Sequence, residues 1–593
     1  MSTIILSRVN ELRQQMQANH IQAFIIPSTD PHLSEYVAPR WHSREWISGF
    51  NGSAGTVVVT LDKAGLWTDS RYFLQAAEQL EGTGIALYKE MVEGTPSIAQ
   101  FLISELKAGD AVGIDASVFS TRGALTLKEE LAPVGIALRS VADPIEAIWK
   151  DRPVIPQDPI ALHDLRYAGK PMEEKLRDIR TALQQQGAEA IFVSALDEIA
   201  WTLNLRGSDV HCNPVFVAYL YIGAQEVMLF TDERKVTPEV ATYLKEKEVE
   251  VLPYAEAAPY LTMLKGVRLL LDLPKTNAAM YEAATAHCTL IEAASPIALM
   301  KSVKNEAEQE GFRRAMERDG VAMVKFLRWL KPAVERGGET EMSIDRKLCA
   351  LRAEQANYRG ISFDTIAGYA AHGAIVHYEA SEETDIPLKA EGLLLLDSGG
   401  QYLDGTTDLT RTIALGPTTE EERTDYTLVL KGFLQLMNAT FPAGTCGTQL
   451  DVLARQAMWK AGINYLHGTG HGVGAYLCVH EGPHQIRMNH MPTLLQPGMT
   501  VTDEPGIYKA GKHGVRIENT LLIVPAMQTE FGPFYRFEPL TLCPIDKEPI
   551  RKEMLSDEEI TWFNQYHQTV YDRLSPFVDE ETRVWLSEAC SEL

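Results

Sequence analysis

The sequence predicts an α/β (α+β) protein in which two duplicated α/β domains precede a larger C-terminal domain. Three observations support this prediction. The chain has 593 residues, which at roughly 150 residues per domain is enough for several domains. A helix–strand pattern occurs twice, and the sequence becomes charged and helical after Pro296. We therefore expect domains over residues 1–150, 151–300 and 301–593.

The repeated pattern is an amphipathic helix followed by an apolar strand. The strand-like runs 23–26 and 190–193 each follow apolar residues at helical spacing, and the later segments 66–71 and 229–234 also resemble each other. The order of these segments and their approximate spacing are the same both times, so we interpret the pattern as two copies of one α/β domain. Chance similarity between two amphipathic units is the alternative.

The regions around these copies carry their own signals. Pro153, Pro156 and Pro159 recur every three residues, which favours an extended linker over a helix or a central strand. Apolar residues at helical spacing within 303–330 predict a long helix at the start of the third domain. Residues 556–559 form a capping-box sequence, so a further helix should begin near residue 557.

The composition argues against several classes of protein. A net charge of −25 disfavours binding to nucleic-acid phosphates or to anionic membranes. No apolar run approaches the roughly 18 residues of a membrane span, and the N-terminus lacks the apolar core of a secretory signal. The seven cysteines contain no Cys-x-x-Cys pair, which indicates a reducing compartment. We expect a cytoplasmic protein without nucleic-acid or membrane partners.

Histidine and aspartate residues are concentrated in the third domain. Seven of the fifteen histidines lie between residues 372 and 490. In the same region an apolar run ends in Asp397, a glycine turn follows, and a second strand is predicted through residues 408–412. A hairpin would bring the two carboxylates together, and buried acids with no base nearby imply a cation between them. Two exposed turn aspartates are the alternative interpretation.

Three further candidate ligands follow along the chain. His471 lies in the segment 467–474, whose glycines permit close backbone approaches. Glu504 ends a predicted strand, and Glu518 lies inside the strand-like run 515–523, where a lone buried acid would be costly. Each residue alone has a simple alternative, a solvated glutamate or a histidine that binds nothing. The whole set in this order is far less probable by chance than any one member.

This order of two Asp, one His and two Glu resembles the pita-bread metallopeptidase family, which has a dinuclear metal site. The resemblance implies a pita-bread catalytic domain with a helical tail, preceded by two creatinase-like domains. It implies the metal ligands Asp397, Asp408, His471, Glu504 and Glu518. Asp408 and Glu518 would bridge two divalent metals, Asp397 would hold one, and His471 and Glu504 the other. Such a set suits Mn²⁺, with Co²⁺ and Zn²⁺ as alternatives.

The flanking segments 363–366, 373–378 and 479–483 resemble the aminopeptidase P branch of this family, the Xaa-Pro aminopeptidases, in its long three-domain cytosolic form. The resemblance implies peptide substrates with proline in the second position, and a homodimer. Like methionine aminopeptidase, prolidase is a competing branch. Methionine aminopeptidase is too short to need residues 1–300, and prolidase generally lacks the second N-terminal copy.

The resemblance also assigns catalytic roles. Glu504 would accept the proton of the attacking water, His377 and His480 would stabilise the oxyanion, and Arg516 would orient substrate or a carboxylate ligand. His467 is at most a supporting residue. No role is expected for three other histidines, His372, His484 and His490.

Two further hypotheses concern binding. Some pita-bread domains are binding modules without peptidase activity, but those relatives lose ligand positions that this chain retains. In the N-terminal domain, Arg71 lies beside two aromatic residues, while the second copy has Arg234 followed by Lys235. Arg71 could pair with a substrate carboxylate or a partner subunit, or it could only stabilise its own domain. The sequence contains no Gly-x-Ser-x-Gly elbow, Walker loop or dinucleotide-binding glycine motif, so other enzyme classes lack their usual signals.

Overall fold

A computed structural model describes residues 2–593 as mixed α/β, which confirms the predicted fold class. The chain forms two compact units. The first comprises residues up to 163 and residues 170–298, and the second comprises 164–169 and 299–593. Among the described residues, no helix is both long enough and apolar enough to cross a membrane. All seven cysteines are free thiols.

The first half of the first unit is a six-stranded sheet covered by helices. Its elements are the helices α1 Ser2–Ala18, α2 Ser43–Ser48, α3 Phe73–Gln79, α4 Ile98–Glu105, α5 Thr121–Leu131 and α6 Pro144–Ile148, and the strands β1 Ala23–Pro27, β2 Thr56–Thr60, β3 Ala64–Thr68, β4 Ala86–Lys89, β5 Ala111–Ile114 and β6 Ala137–Ser140. The strand order is β4-β3-β2-β1-β5-β6. Strand β1 pairs antiparallel with β2 and parallel with β5.

The central strand β1 is buried on both faces. Phe24 and Ile26 pack with the apolar side of α1, and Ala23 and Ile25 pack in a second cluster with residues of α4 and α5. Successive side chains of a strand point to opposite faces, so the strand needs apolar residues at every position. The continuous apolar run 23–26 is therefore the sequence signature of a strand between two helical layers.

The chain from 151 to 302 repeats this arrangement. It contains the helices α7 Leu165–Ala168, α8 Met172–Gln185, α9 Leu196–Leu203, α10 Pro238–Glu246, α11 Ala257–Met263, α12 Ala278–Thr285 and α13 Pro296–Ser302, and the strands β7 Ala161–Leu162, β8 Ala190–Val193, β9 Leu205–Arg206, β10 Tyr219–Ile222, β11 Val227–Thr231, β12 Val249–Pro253, β13 Arg268–Leu271 and β14 Thr289–Glu292. Its sheet has the order β12-β11-β10-β8-β13-β14, with the same sequence of parallel and antiparallel pairs as the first sheet. The predicted duplication is confirmed.

The two copies differ where Tyr72 corresponds to Lys235. Tyr72 is buried and its hydroxyl bonds to Ser53 at 2.6 Å. Lys235 is also buried, but it forms an ion pair with the buried Asp209. Each copy has therefore developed its own core around an equivalent position.

Arg71 makes its contacts within the first α/β domain. Its guanidinium donates two hydrogen bonds to Asp69, at 2.9 and 2.8 Å, and lies 3.7 Å from Glu35. Arg234 of the second copy binds Asp232 in the same way. The shared motif thus forms the same local ion pair in both copies. This observation supports the stabilising role of Arg71 and leaves its proposed contact with substrate a prediction.

The second unit contains the candidate site. Its remaining elements are the helices α14 Glu306–Arg336, α15 Glu341–Ala353, α16 Glu420–Met437, α17 Gly447–Lys460, α18 Asp557–Leu574 and α19 Glu580–Ala589, and the strands β15 Tyr358–Ile361, β16 Ile366–Tyr369, β17 Leu393–Ser398, β18 Gly400–Tyr402, β19 Gly405–Thr406, β20 Leu409–Ala414, β21 Thr440–Pro442, β22 Gly470–Gly472, β23 Glu481–Ile486, β24 Thr500–Asp503, β25 Gly506–Lys509, β26 His513–Arg516, β27 Asn519–Thr529 and β28 Gly532–Pro539. The main sheets have the orders β16-β17-β20 and β21-β28-β27-β24.

The two helices predicted for this unit are present, and each begins with an N-terminal cap. Asn305 and Glu308 make a capping box at the start of α14, and this helix continues past residue 330 through Pro332 to Arg336. The buried Ala333 and Val334 explain the extension, because packing stabilises the last turns despite the proline. Helix α18 begins at residue 557 with a capping box from Ser556, as the sequence predicts. Residues 152–159 form neither helix nor strand, in agreement with the predicted linker.

Candidate metal centre

Two of the predicted ligands lie on neighbouring antiparallel strands. Asp397 is in β17 opposite Thr410 of β20, and Asp408 directly precedes β20. Both aspartates are buried. The hairpin between them also contains the short strands β18 and β19, and it brings the two carboxylates to one end of the sheet. The alternative of two exposed turn aspartates is therefore wrong.

Glycines allow His471 to approach the neighbouring strands. A Cβ added at Gly470 would overlap the carbonyl oxygen of Thr502, and one at Gly472 would overlap that of Glu481. The imidazole Nδ1 donates to the carbonyl oxygen of Gly472 at 2.8 Å. This hydrogen bond leaves the Nε2 lone pair available as a ligand, as is usual for metal-binding histidines.

The two glutamates lie at strand ends. Glu504 follows β24, and its backbone N–H donates to Thr469 at 2.8 Å. Glu518 lies between β26 and β27, so the prediction of one continuous strand over 515–523 is wrong. The break occurs because the N–H of Glu518 donates to Thr410 and its carbonyl oxygen accepts from Arg411, which holds this residue against β20.

The candidate ligands converge on one buried place. Ligand atoms of Asp408, His471 and Glu518 all lie within 4.8 Å of one another. Nε2 of His471 is 3.5 Å from Asp408 and 3.8 Å from Glu504. One carboxylate oxygen of Asp397 is buried without a hydrogen-bond partner. The structure therefore brings the five predicted side chains into one cluster.

The electrostatics of the cluster favour a cation. Burial, followed by the charges of Asp397 and Glu504, raises the pKa of Asp408 well above its usual value. Burial and the charge of Asp408 do the same to the pKa of Glu518. The carboxylates repel one another, and divalent cations would offset that repulsion. Four carboxylates and one imidazole are a hard donor set that fits two such ions.

Arg516 contacts one of the candidate carboxylate ligands. Its guanidinium is buried and donates to Asp397 at 2.7 Å and to the hydroxyl of Tyr508 at 2.8 Å. A third N–H donates to Thr410 at 3.1 Å, and the Thr410 hydroxyl donates to Glu518 at 2.7 Å. Of the two roles predicted for Arg516, these contacts support the orientation of a carboxylate ligand.

Tyr508 is a site residue that no sequence motif singles out. Its hydroxyl accepts from Arg516 and bonds to Nε2 of His467 at 2.9 Å. This places His467 in the network behind Asp397, which agrees with a supporting role. The only sequence signal for Tyr508 is its position on a strand four residues after Glu504.

The two predicted catalytic histidines are half-buried in loops. His480 directly precedes β23, and its ring lies 4.4 Å from the ring of His471. His377 lies in a turn after residues 370–374, next to Val376, whose carbonyl oxygen accepts from Arg516 at 3.3 Å. Both side chains are therefore less buried than Asp408 and Glu518, as groups that meet a substrate should be.

The three histidines without an expected role have different surroundings. His484 is fully buried and bonds to the carbonyl oxygen of Thr500 at 2.7 Å, and burial lowers its pKa to about 4. His490 is exposed. His372 lies 3.0 Å from the buried carboxylate of Glu341, a contact that the sequence did not indicate.

A buried ion cluster lies directly beside His480. Glu481 forms ion pairs with Lys301, at 2.8 Å, and with Lys304. All three side chains are at most 3% exposed. The sequence does not indicate this cluster, because the two lysines precede helix α14 and nothing in their spacing points to a glutamate far along the chain.

Comparison with known proteins identifies the family. Residues 310–525 match the model of metallopeptidase family M24, and residues 533–593 match the C-terminal region of that peptidase. Residues 8–148 and 151–308 each match the creatinase/prolidase N-terminal domain. A probable Xaa-Pro aminopeptidase P of Aspergillus niger is 40% identical over 98% of this chain and 97% of that protein. The chain belongs to metallopeptidase family M24. Xaa-Pro aminopeptidase 1 of Dictyostelium discoideum is also 40% identical, and the match covers 97% of this chain and 94% of that protein.

Solved structures agree with membership of family M24. X-prolyl aminopeptidase from Caenorhabditis elegans, described as a cytosolic enzyme with a di-nuclear active site, superposes with a TM-score of 0.95 at 33% identity and covers 100% of both chains. Xaa-Pro dipeptidase from Bacillus anthracis has a TM-score of 0.51 at 26% identity, and covers 63% of this chain and 99% of its own. The second unit therefore contains the pita-bread domain of family M24, and the N-terminal copies are creatinase-like.

Proposed function

We propose that this protein is a metal-dependent aminopeptidase that hydrolyses the N-terminal Xaa-Pro bond of peptides. The observation that carries the proposal is the buried convergence of Asp408, His471 and Glu518 beside Asp397 and Glu504. This cluster lies in a chain that resembles Xaa-Pro aminopeptidases over nearly its whole length.

The five clustered side chains would hold the metals. By the family resemblance, Asp408 and Glu518 would be shared by both ions, Asp397 would bind one ion, and His471 and Glu504 would bind the other. The burial of Asp408 and Glu518, with ligand atoms within 4.8 Å of each other, supports this assignment. The hard donor set favours Mn²⁺. When bound, two divalent ions lower the pKa of a shared water and polarise the carbonyl of the scissile bond.

The protein residues supply the proton transfers and the orientation. The family resemblance assigns Glu504 as the acceptor of the proton of the attacking water, and its side chain, 18% exposed against 5% for Asp408, is open enough to meet that water. The imidazole N–H groups of His377 and His480 donate to the oxygen that gains charge. Arg516 holds Asp397 in place and so acts on the substrate only through that ligand.

The substrates are peptides with proline in the second position. We further propose that the protein acts in the cytoplasm as a homodimer. The Caenorhabditis elegans structure of a cytosolic relative supports the location. The dimer follows from the family resemblance alone. Prolidase activity is the second candidate, since an Xaa-Pro dipeptidase shares part of the fold.

Three substrates distinguish these functions. The purified enzyme with Mn²⁺ should cleave an Xaa-Pro-Yaa tripeptide faster than an Xaa-Pro dipeptide or Met-Ala-Yaa, and metal analysis should find two divalent ions per chain. Faster cleavage of the dipeptide would identify a prolidase, and faster cleavage of Met-Ala-Yaa a methionine aminopeptidase. A protein that binds no metal would fit the alternative of a binding module.

A further inference from the structure

A single buried carboxylate, Glu341, holds the segment that carries His377. Glu341 is the first residue of α15, and its side chain is fully buried. It accepts hydrogen bonds from the backbone N–H of Tyr369 at 2.8 Å, from Nδ1 of His372 at 3.0 Å and from the hydroxyl of Tyr378 at 2.9 Å. All three donors belong to one stretch of ten residues, and His377 lies inside it.

Burying the carboxylate of Glu341 lowers the stability of the folded protein, so its position needs an explanation. A buried carboxylate is destabilised by several kcal/mol unless hydrogen bonds or cations compensate it. Within residues 2–593, no lysine or arginine forms an ion pair with Glu341, and its partners are the three donors of this segment. The N-terminal end of α15 adds a favourable partial charge. The segment that Glu341 holds in place therefore also supplies the hydrogen bonds that stabilise its buried carboxylate.

The other side of the segment is fixed as well. Arg516 donates to the carbonyl oxygen of Val376, and a Cβ added at Gly514 would overlap the backbone of Gly373. His377 therefore lies between Val376, which Arg516 holds, and Tyr378, which Glu341 holds. Tyr378 is buried against Ile366 and Leu395, and its bond to Glu341 ties this end of the turn to α15.

We propose that Glu341 is a positioning residue for His377, acting through Tyr378. This inference rests on the proposed function, in which His377 donates to the oxygen that gains charge. Such a donor works only within hydrogen-bond reach, and a misplacement of about 1 Å can cost about 100-fold in rate. Loss of the Glu341–Tyr378 bond frees the segment on one side and lets His377 leave that position.

The test uses the full-length, metal-loaded enzyme, four single variants and one double variant. Glu341→Gln retains the shape of the side chain but accepts fewer hydrogen bonds, and Tyr378→Phe removes only the hydroxyl. Tyr426→Phe is the matched control, since it also removes a buried tyrosine hydroxyl, one that bonds to the carbonyl oxygen of Asp546 at 2.7 Å. His377→Ala supplies the background for a double-mutant cycle.

We expect Glu341→Gln and Tyr378→Phe to lower kcat by about 10-fold or more while KM changes less than about threefold, because His377 acts in the transition state. Tyr426→Phe should leave kcat within about twofold of the parent. In the His377→Ala background, Glu341→Gln should cause no further loss of kcat. That result separates positioning of His377 from a general structural effect, which would lower kcat equally in both backgrounds.

Three results would overturn the inference: a normal kcat in both single variants, a loss no larger than that of Tyr426→Phe, or additive losses in the double variant. If Glu341→Gln does not fold, Tyr378→Phe gives the same comparison. The rates are measured on whichever of the three peptides the parent enzyme cleaves, so a different substrate preference would contradict the proposed function and still decide the role of Glu341. A parent enzyme that cleaves none of them would overturn both.

Discussion

Asp408 and Glu518 are both buried, so folding places two negative charges close together and away from water. Both residues are buried, the charges of Asp397 and Glu504 raise the pKa of Asp408, and the charge of Asp408 raises the pKa of Glu518. Divalent ions held by these residues would offset this repulsion, and a carboxylate shared by two ions would contribute to the binding of both. Metal binding and the charge of these two residues should therefore depend on each other.

Asp408→Ala or Glu518→Ala should lose at least one metal ion per chain and most activity. Metal analysis of protein purified without chelator, together with tripeptide turnover, measures both effects. Asp404→Ala is a matched control, because Asp404 is a buried acid of the same hairpin that pairs with Arg318 at 2.6 Å instead. Two ions per chain and normal turnover in Asp408→Ala would contradict the bridging assignment.

Glu504→Gln separates metal binding from proton transfer. The amide keeps the shape of the side chain but is not basic, so it cannot accept the proton of the attacking water. We expect retained metal and a kcat reduced by roughly 100-fold or more, within the usual range of about 10²–10⁴-fold for general acid–base catalysis. An unchanged kcat would show that another group accepts the proton.

For single residues, the sequence predicts the candidate metal ligands better than it predicts the residues that hold those ligands and their neighbours in place. The five ligand candidates are chemically distinctive, and their order along the chain carries the prediction. Tyr508 and Glu341 were missed because their importance comes from partners that only the fold brings near. Arg516, for example, reaches Asp397 across 119 residues of sequence. A tyrosine or glutamate in such a network has no local pattern of its own.

The start of β23 depends on a charge balance among three side chains. Glu481 separates two buried ammonium groups, Lys301 and Lys304, that would otherwise face each other. Removing one partner of a buried ion pair leaves an uncompensated charge, and that loss is larger than the net contribution of the intact pair.

Glu481→Gln should therefore destabilise the second unit by about 3–5 kcal/mol. Chemical unfolding followed by hydrogen exchange in β22 and β23 would measure the loss. Glu310→Gln, which removes the exposed partner of Arg314 in the same unit, should change stability little. Equal losses of unfolding free energy in the two variants would mean that burial does not strengthen the effect of removing Glu481.

Secondary-structure elements differ in how well the sequence predicts them. The start of α18 was predicted because its cap is a local chemical signal, and the structure contains that cap. The break between β26 and β27 was not predicted, because the residues on both sides are apolar and strand-like. That break depends on hydrogen bonds to Thr410 and Arg411, which lie more than 100 residues earlier.

The stability of the protein in acid should depend on His567. This residue of α18 is buried, its Nδ1 donates to the carbonyl oxygen of Phe563 at 3.0 Å, and its Nε2 accepts from the N–H of Ile545 at 3.0 Å. Burial lowers its pKa from 6.5 to about 4. The unfolded chain therefore takes up a proton on this histidine at a higher pH than the folded chain does.

The contribution of neutral His567 is complete above pH 6.5 and is lost as the pH falls towards 4. At about 1.4 kcal/mol per pKa unit, the loss amounts to about 3 kcal/mol. His567→Gln should flatten this part of the curve of unfolding free energy against pH. Denaturant unfolding between pH 7.5 and 4, followed by hydrogen exchange in α18, would test it. Identical slopes for both proteins would rule out His567 as the source.

For the whole molecule, internal repetition was the most informative sequence signal. The repeated runs at 23–26 and 190–193 form equivalent central strands, β1 and β8, in sheets of the same order. Amphipathic helices and apolar strands are local patterns, so their duplication can be recognised in the amino-acid sequence. The packing that makes each copy distinct depends on residues far apart in the chain and cannot be recognised in this way.

The difference between Tyr72 and Lys235 limits how far the two copies are interchangeable. Because the copies share one fold, a segment of one copy could be exchanged by mutagenesis for the equivalent segment of the other. A tyrosine placed at position 235 would leave the carboxylate of Asp209 buried without its cation, and a lysine at position 72 would bury an ammonium beside Ser53. Chimaeras of either kind should therefore be less stable than the parent, because each copy depends on the buried partners of its own domain.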